Sequence, residues 1–245
     1  MGNRFFPNRV LHFILIMLLA ITISAPFVFI LHDMEPQAQS LVIYSIICAV
    51  FLLIVGIVNW RRNVSLLGFY TKRFDSIWLA LLIVVIIQLF ISVPFHILLN
   101  DSATGMNENS LLVTIGSLTV APILEETIFR GVLLRGLTTR YSERVSVILS
   151  AVLFALIHIH LFQILPGLLL GLLFGVVFVL THSLLYTIAL HFTANLTIFI
   201  STQLKVGEFF LSLGKWELVA IGLCALLIAT FLTIKLSSRI PTRKA

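Results

Sequence analysis

The chain has 245 residues, of which 60% are hydrophobic and 11% charged, with a mean hydropathy of +1.13. About 25% of a typical soluble domain is charged, so this composition cannot cover a water-facing surface and excludes a large polar domain. The net charge of +6 lies along the flanks of apolar runs, which suits a membrane surface and argues against a nucleic-acid partner.

A spanning helix needs about 20 mainly apolar residues, and eight runs answer to that: 10–31, 40–60, 77–99, 111–134, 145–162, 164–181, 184–202 and 217–234. The expected fold class is therefore all-α, a polytopic membrane protein. The first run follows Arg4 and Arg9 and is too long for a typical signal-peptide core, so it reads as a retained span. Cys48 and Cys224 both fall inside apolar runs, which implies neither a disulfide framework nor a thiolate metal site. In the fourth run, Pro122 stands one turn before Glu125 and Glu126 and should kink the helix and loosen its backbone bonds. The fifth, sixth and seventh runs are joined by very short turns. In the sixth, Gly167, Gly171 and Gly175 recur every fourth residue, a small-residue face on which another helix can pack closely. The segment from Val206 to Trp216 is apolar but short and Gly-interrupted, and is expected at the outer interface.

Charge sets the expected orientation. With loops alternating sides, Arg4, Arg9, Arg61, Arg62, Lys72, Arg73, Arg135, Arg140, Arg144, Lys235, Arg239, Arg243 and Lys244 share the side of the N-terminus, against only Lys205 and Lys215 opposite. By the positive-inside rule both termini are cytosolic, in a multi-pass cell-membrane protein.

Charged residues at membrane depth cost about 2.5–3.5 kcal/mol each on insertion scales, so the adjacent pair Glu125-Glu126 requires a reason. Glu126 and Arg130 are i and i+4 and share a helix face, where they can pair. Glu125 points about 100° away, leaving it free to face a cavity as a general base. The plainer reading is a structural Glu–Arg lock, which accounts for Glu126 but not for Glu125. His158 lies in the fifth run, and both it and Glu125 stand about 20 Å along their runs, in the middle third of a bilayer core of about 30 Å. The two can meet. His160, two residues on, falls on nearly the opposite face and reads as an interhelical hydrogen-bonding residue. His191 and Asn195 in the seventh run are again i and i+4. Their donors suit a developing oxyanion; alternatively His158 and His191 with Glu125 could hold a divalent metal such as zinc. His12, His32, His96 and His182 fall near run ends and read as interfacial or structural. There is no His-Glu-x-x-His, no Gly-x-Gly-Asp and no Gly-x-Ser-x-Gly, which removes the common metalloprotease, aspartyl and serine-hydrolase signatures.

In order, Glu125-Glu126-x-x-x-Arg130, Phe154-x-x-x-His158 and His191-x-x-x-Asn195 resemble the CAAX-protease and bacteriocin-processing (CPBP, or Abi) family of intramembrane proteases, relatives of the Ras-converting CAAX endopeptidase. Every motif residue matches, over roughly 111–202. The resemblance implies a fold of about eight helices with an intramembrane catalytic cavity, its catalytic core in 111–202. The polar loops are short, so one membrane domain is expected over 1–245, with N-terminal helices in 1–110 and a C-terminal helix with a basic tail in 203–245. The resemblance further implies that Glu125 activates water with His158 assisting, that His191 and Asn195 hold the oxyanion, and that Glu126 and Arg130 support. Metal-dependent and glutamate-dependent mechanisms compete for the family. The metal-free one suits this chain better, since Asn195 is a poor zinc ligand and only two motif histidines are present. The implied substrate is a membrane-bound or amphipathic peptide within the lipid bilayer, and the compact loops resemble bacterial members. A non-enzymatic bacteriocin-immunity or binding protein is the main alternative, and a proton-coupled transporter a lesser one, the latter disfavoured by the lack of a repeat.

Overall fold

In lipid every backbone polar group must be paired within the chain, and for long apolar runs the helix does this residue by residue. The computed structural model describes residues 5–64, 73–100, 111–158 and 160–239, and among these there is no strand. Arg4, Lys72, Arg243 and Lys244, used above for orientation, lie outside the described residues. Among the described residues seven stretches are long and apolar enough to cross a membrane: Val10–Ile30, Pro36–Arg61, Ile77–Leu99, Leu111–Thr138, Leu161–Thr181, Leu184–Gln203 and Lys215–Ser237. Large apolar side chains such as Leu11, Trp78, Leu111 and Leu227 stand exposed along them, as expected where the solvent is lipid. The chain is thus an all-α polytopic membrane protein.

The expected run 145–162 is shorter than the sequence suggests. Its helix, α9, covers Glu143–Leu156, 14 residues, or about 21 Å. Its end is shaped by its own histidine. The His158 ring Nδ1 lies 2.9 Å from the Phe154 carbonyl, while the His158 amide turns back to Ala155 O at 3.2 Å. The carbonyl that a continuing α-helix would offer to residue 158 is engaged by the imidazole, and the helix stops.

Packing divides the chain into two units, one of residues 1–69 with 109–146, the other of 70–108 with 147–245. In the first unit, α1 (Val10–Ser24) packs on α3 (Pro36–Arg61). Glu35 caps α3 by accepting from the amides of Gln37 and Ala38, with Pro36 in the first turn where its missing N–H costs nothing. Phe13 meets Phe51 and Phe129 at ring distances of 5.2 and 5.6 Å. The stretch Leu111–Thr138 is not a regular helix. It runs as α6 (Leu111–Ile115), a π turn Gly116–Val120, α7 (Ala121–Glu126), a second π segment Thr127–Leu134 and α8 (Arg135–Thr138). Pro122 lies in the first turn of α7. The loosening expected from its missing amide takes the form of the π turn just before it.

In the second unit, α4 (Ile77–Ile87), a π turn Gln88–Ser92 and α5 (Val93–Asn100) form one composite span. Helix α10 (Leu161–Thr181) is its most buried span, and α11 (Leu184–Gln203) and α13 (Lys215–Ser237) pack against it. The glycine face predicted in the sixth run meets α9. A Cβ on Gly171 would stand 3.0 Å from Ala151 Cα, and one on Gly175 would stand 2.9 Å from a Val147 methyl. His182 ends α10 in the left-handed region, φ 53°, its amide bonded to Phe178 O at 2.7 Å. The short α12 (Val206–Leu211) places Phe210 against Ile97 and Leu218.

Candidate functional site

The predicted polar residues divide between the two units. In the first, Glu126 and Arg130 pair as their i, i+4 spacing predicts, Nη1 to Oε1 at 2.9 Å, with both side chains fully buried. A buried ion pair holds only while both partners are present, so Glu126 is committed to Arg130. The half-buried Glu125, last but one in α7, accepts a hydrogen bond on Oε1 from the Tyr44 hydroxyl at 2.9 Å. The sequence reading gave Glu125 no partner on its own helix; its partner comes from α3. Tyr44 was missed. Its signal was a phenol inside an apolar run, since a buried O–H needs an acceptor.

In the second unit a cavity of about 460 Å³ brings His158, His191 and Asn195 together. His191 and Asn195 reach it from one face of α11, and His158 from the end of α9. Phe154 stands edge-on to both imidazoles, its ring 5.1 Å from His158 and 5.8 Å from His191, and Phe174 lies 5.5 Å from His191 on another side. These rings fix the imidazole planes. The bond from His158 to Phe154 O also fixes a tautomer. A carbonyl only accepts, so Nδ1 carries the proton and Nε2 of the neutral ring keeps its lone pair. His158 can therefore accept a proton or orient a water through Nε2.

The cavity takes further polar residues that the sequence reading did not select. Gln88, Ser92 and His96 line it from the α4–α5 span, and Ser201, Thr202 and Lys205 from the end of α11. Gln88, Ser92 and His96 recur every fourth residue, a polar stripe in an apolar run that could have marked this face. His96, read as interfacial, lines the cavity and stands edge-on to Phe162 at 4.4 Å. His160 stacks on Phe162 on an exposed surface and is not among the lining residues. Val93, Phe162, Pro166, Leu170 and Ile198 supply apolar wall. Apolar wall interleaved with many polar groups, Lys205 and Glu208 among them, suits an amphipathic ligand with polar atoms to be oriented.

Among the described residues no three or more of His, Cys, Asp and Glu gather where they could hold a metal ion. Two imidazoles beside an amide make a weak donor set for zinc.

Residues 107–197 match the family model described as Type II CAAX prenyl endopeptidase Rce1-like. That stretch contains Glu125, Glu126, Arg130, His158, His191 and Asn195. No curated protein and no solved structure matches the chain.

Proposed function

We propose that this protein, a multi-pass membrane protein whose residues 107–197 carry the Rce1-like domain of CPBP-family membrane proteases, is an intramembrane endopeptidase for membrane-bound or amphipathic peptides. The observation that carries the reading is the cavity that gathers His158, His191 and Asn195 inside the family-matched stretch, with Nε2 of His158 open to a proton.

In this reading Glu125 is the general base. It takes a proton from a water that Nε2 of His158 orients, and the water oxygen attacks the scissile carbonyl carbon. The carbonyl oxygen gathers negative charge, which N–H donors of His191 and Asn195 stabilise; one such donor is worth about 2.7–4 kcal/mol of barrier. As the tetrahedral intermediate collapses, the C–N bond breaks, the proton held by Glu125 passes to the leaving amine, and the acyl product leaves as a carboxylic acid that then ionises. Tyr44 holds Oε1 of Glu125 and so orients the carboxylate. Glu126 and Arg130, neutralised by each other, anchor the turn on which Glu125 stands. The matching depths of Glu125 and His158 along their runs support their joint action.

The test is a cleavage screen of internally quenched hydrophobic peptides, with and without a prenylated C-terminal cysteine, in detergent or nanodiscs. Wild type should cleave, and Glu125→Ala and His158→Ala should lose cleavage by at least a hundredfold while keeping the wild-type melting profile. Undiminished cleavage by Glu125→Ala would overturn the mechanism. A wild type that binds peptides but cleaves none would favour a binding or immunity role.

A further inference from the structure

The π turn Gln88–Ser92 places a glutamine where a hydrophobic span has no structural need of one. Gln88 is 6% exposed and lines the cavity with His158, His191 and Asn195. Its amide orientation is determined by its neighbour. Nε2 lies 3.2 Å from the backbone oxygen of Ala194, and a backbone carbonyl only accepts, so the nitrogen must face α11. Oε1 is buried and, among the described residues, has no hydrogen-bond partner. A buried acceptor left unsatisfied costs about 1–3 kcal/mol, an outlay that recurs at binding sites where a ligand completes the bond. The donor it requires is an N–H or O–H; in a cavity that interleaves apolar wall with polar groups, the backbone N–H of a peptide answers that description.

We propose that Gln88 is a substrate-binding residue, its side-chain oxygen accepting one backbone N–H of the bound peptide beside His158, His191 and Asn195. The inference rests on the peptidase reading above for the identity of the ligand. The same side chain, through Nε2, is tied to the residue between His191 and Asn195 in α11. It therefore relates the position of the peptide backbone to that of the two residues proposed to hold the oxyanion. A peptide seated on Gln88 is held at a fixed register, which makes Gln88 a determinant of where the chain is cut.

The experiment measures binding, so that it does not depend on turnover. The probe is a short fluorescent peptide ending in a farnesylated CAAX sequence, prepared as a series in which one backbone amide at a time is replaced by an ester. Each member lacks a single N–H. Dissociation constants are measured by anisotropy on Glu125→Ala protein with Gln88 intact and with Gln88→Met, which keeps length and burial but removes both polar atoms. The expected result is that Gln88→Met weakens the all-amide peptide about tenfold, that one ester weakens binding to the Gln88 protein by a similar factor, and that this ester weakens binding to Gln88→Met no further. Ester effects that multiply with Gln88→Met at every position would overturn the proposal, because a merely structural role for Gln88 weakens all peptides alike. If Gln88→Met does not fold, as judged by its melting profile, Gln88→Asn replaces it: the amide is withdrawn by one methylene, and the same non-additivity at the same ester is required. Cleavage of the all-amide peptide by wild type is scored separately. Binding with the predicted non-additivity but no cleavage sinks the peptidase reading and leaves the Gln88 contact standing; absence of any binding sinks the Gln88 contact.

Discussion

The Tyr44 hydroxyl donates to Glu125 and also meets the Cys48 thiol, and Tyr44→Phe removes both contacts while keeping the ring and its packing. A hydrogen bond to a charged group is worth about 1.5–3 kcal/mol, so under the proposed mechanism, in which Tyr44 positions Glu125 as the base, kcat is expected to fall roughly tenfold or more with little change in KM. An unchanged kcat in a steady-state peptide assay would remove Tyr44 from the mechanism. Arg130 is a different case. Arg130→Met leaves Glu126 buried without its cation, a change that costs about 3–5 kcal/mol. A marked drop in the thermal unfolding midpoint in detergent should follow. Because the penalty lies in the stranded charge, Glu126→Leu combined with Arg130→Met should recover most of the lost stability. The pairing of Glu126 with Arg130 was legible from spacing alone, because i, i+4 neighbours meet on any helix. The partner of Glu125 was not, because Tyr44 lies 81 residues away and nothing local couples them.

At the scale of elements, the interlock of α9 and α10 makes the glycine positions unequal. A methyl on Gly171 would press on Ala151 backbone at 3.0 Å, whereas on Gly167 its nearest neighbours are at an ordinary 3.6 Å. Overpacking costs about 1–3 kcal/mol, and alanine gains about 1 kcal/mol over glycine in a helix interior. Gly171→Ala should lower the unfolding midpoint and Gly167→Ala should leave it level or raise it; equal shifts for the two would contradict this packing. The small-residue face was visible in the sequence as a spacing of four. The early end of α9 was not, because apolarity continues through Ile157 while the helix is stopped by a hydrogen bond from the His158 ring to its own backbone.

For the whole molecule, the distribution of Lys and Arg predicts that both termini lie in the cytosol. Reporter fusions after Ala245 and in the turn near Thr139 should read as cytosolic, and one in the turn near Leu213 as external; a C-terminal reporter on the opposite side would refute this orientation. That topology requires α9 and the residues following it to return the chain across the bilayer in addition to the seven long spans. The glutamate-based mechanism also predicts that a chelator leaves the cleavage rate unchanged. Loss of activity that is restored by added zinc would replace it with a metal-dependent one.

Composition alone determined that the chain is a helical membrane protein, because so few charges leave no other solvent and lipid leaves the backbone little choice but the helix. Spacing alone determined which polar residues share a helix face, because helical periodicity is local: Glu126 with Arg130, and His191 with Asn195. Tertiary structure decided the rest. The bond from Tyr44 to Glu125 and that from Gln88 to Ala194 join residues 81 and 106 positions apart, and the cavity draws its walls from separate helices. Such contacts depend on the rotation and register of each helix against its neighbours. Those are set by the packing of many side chains at once, which a single run of sequence does not contain.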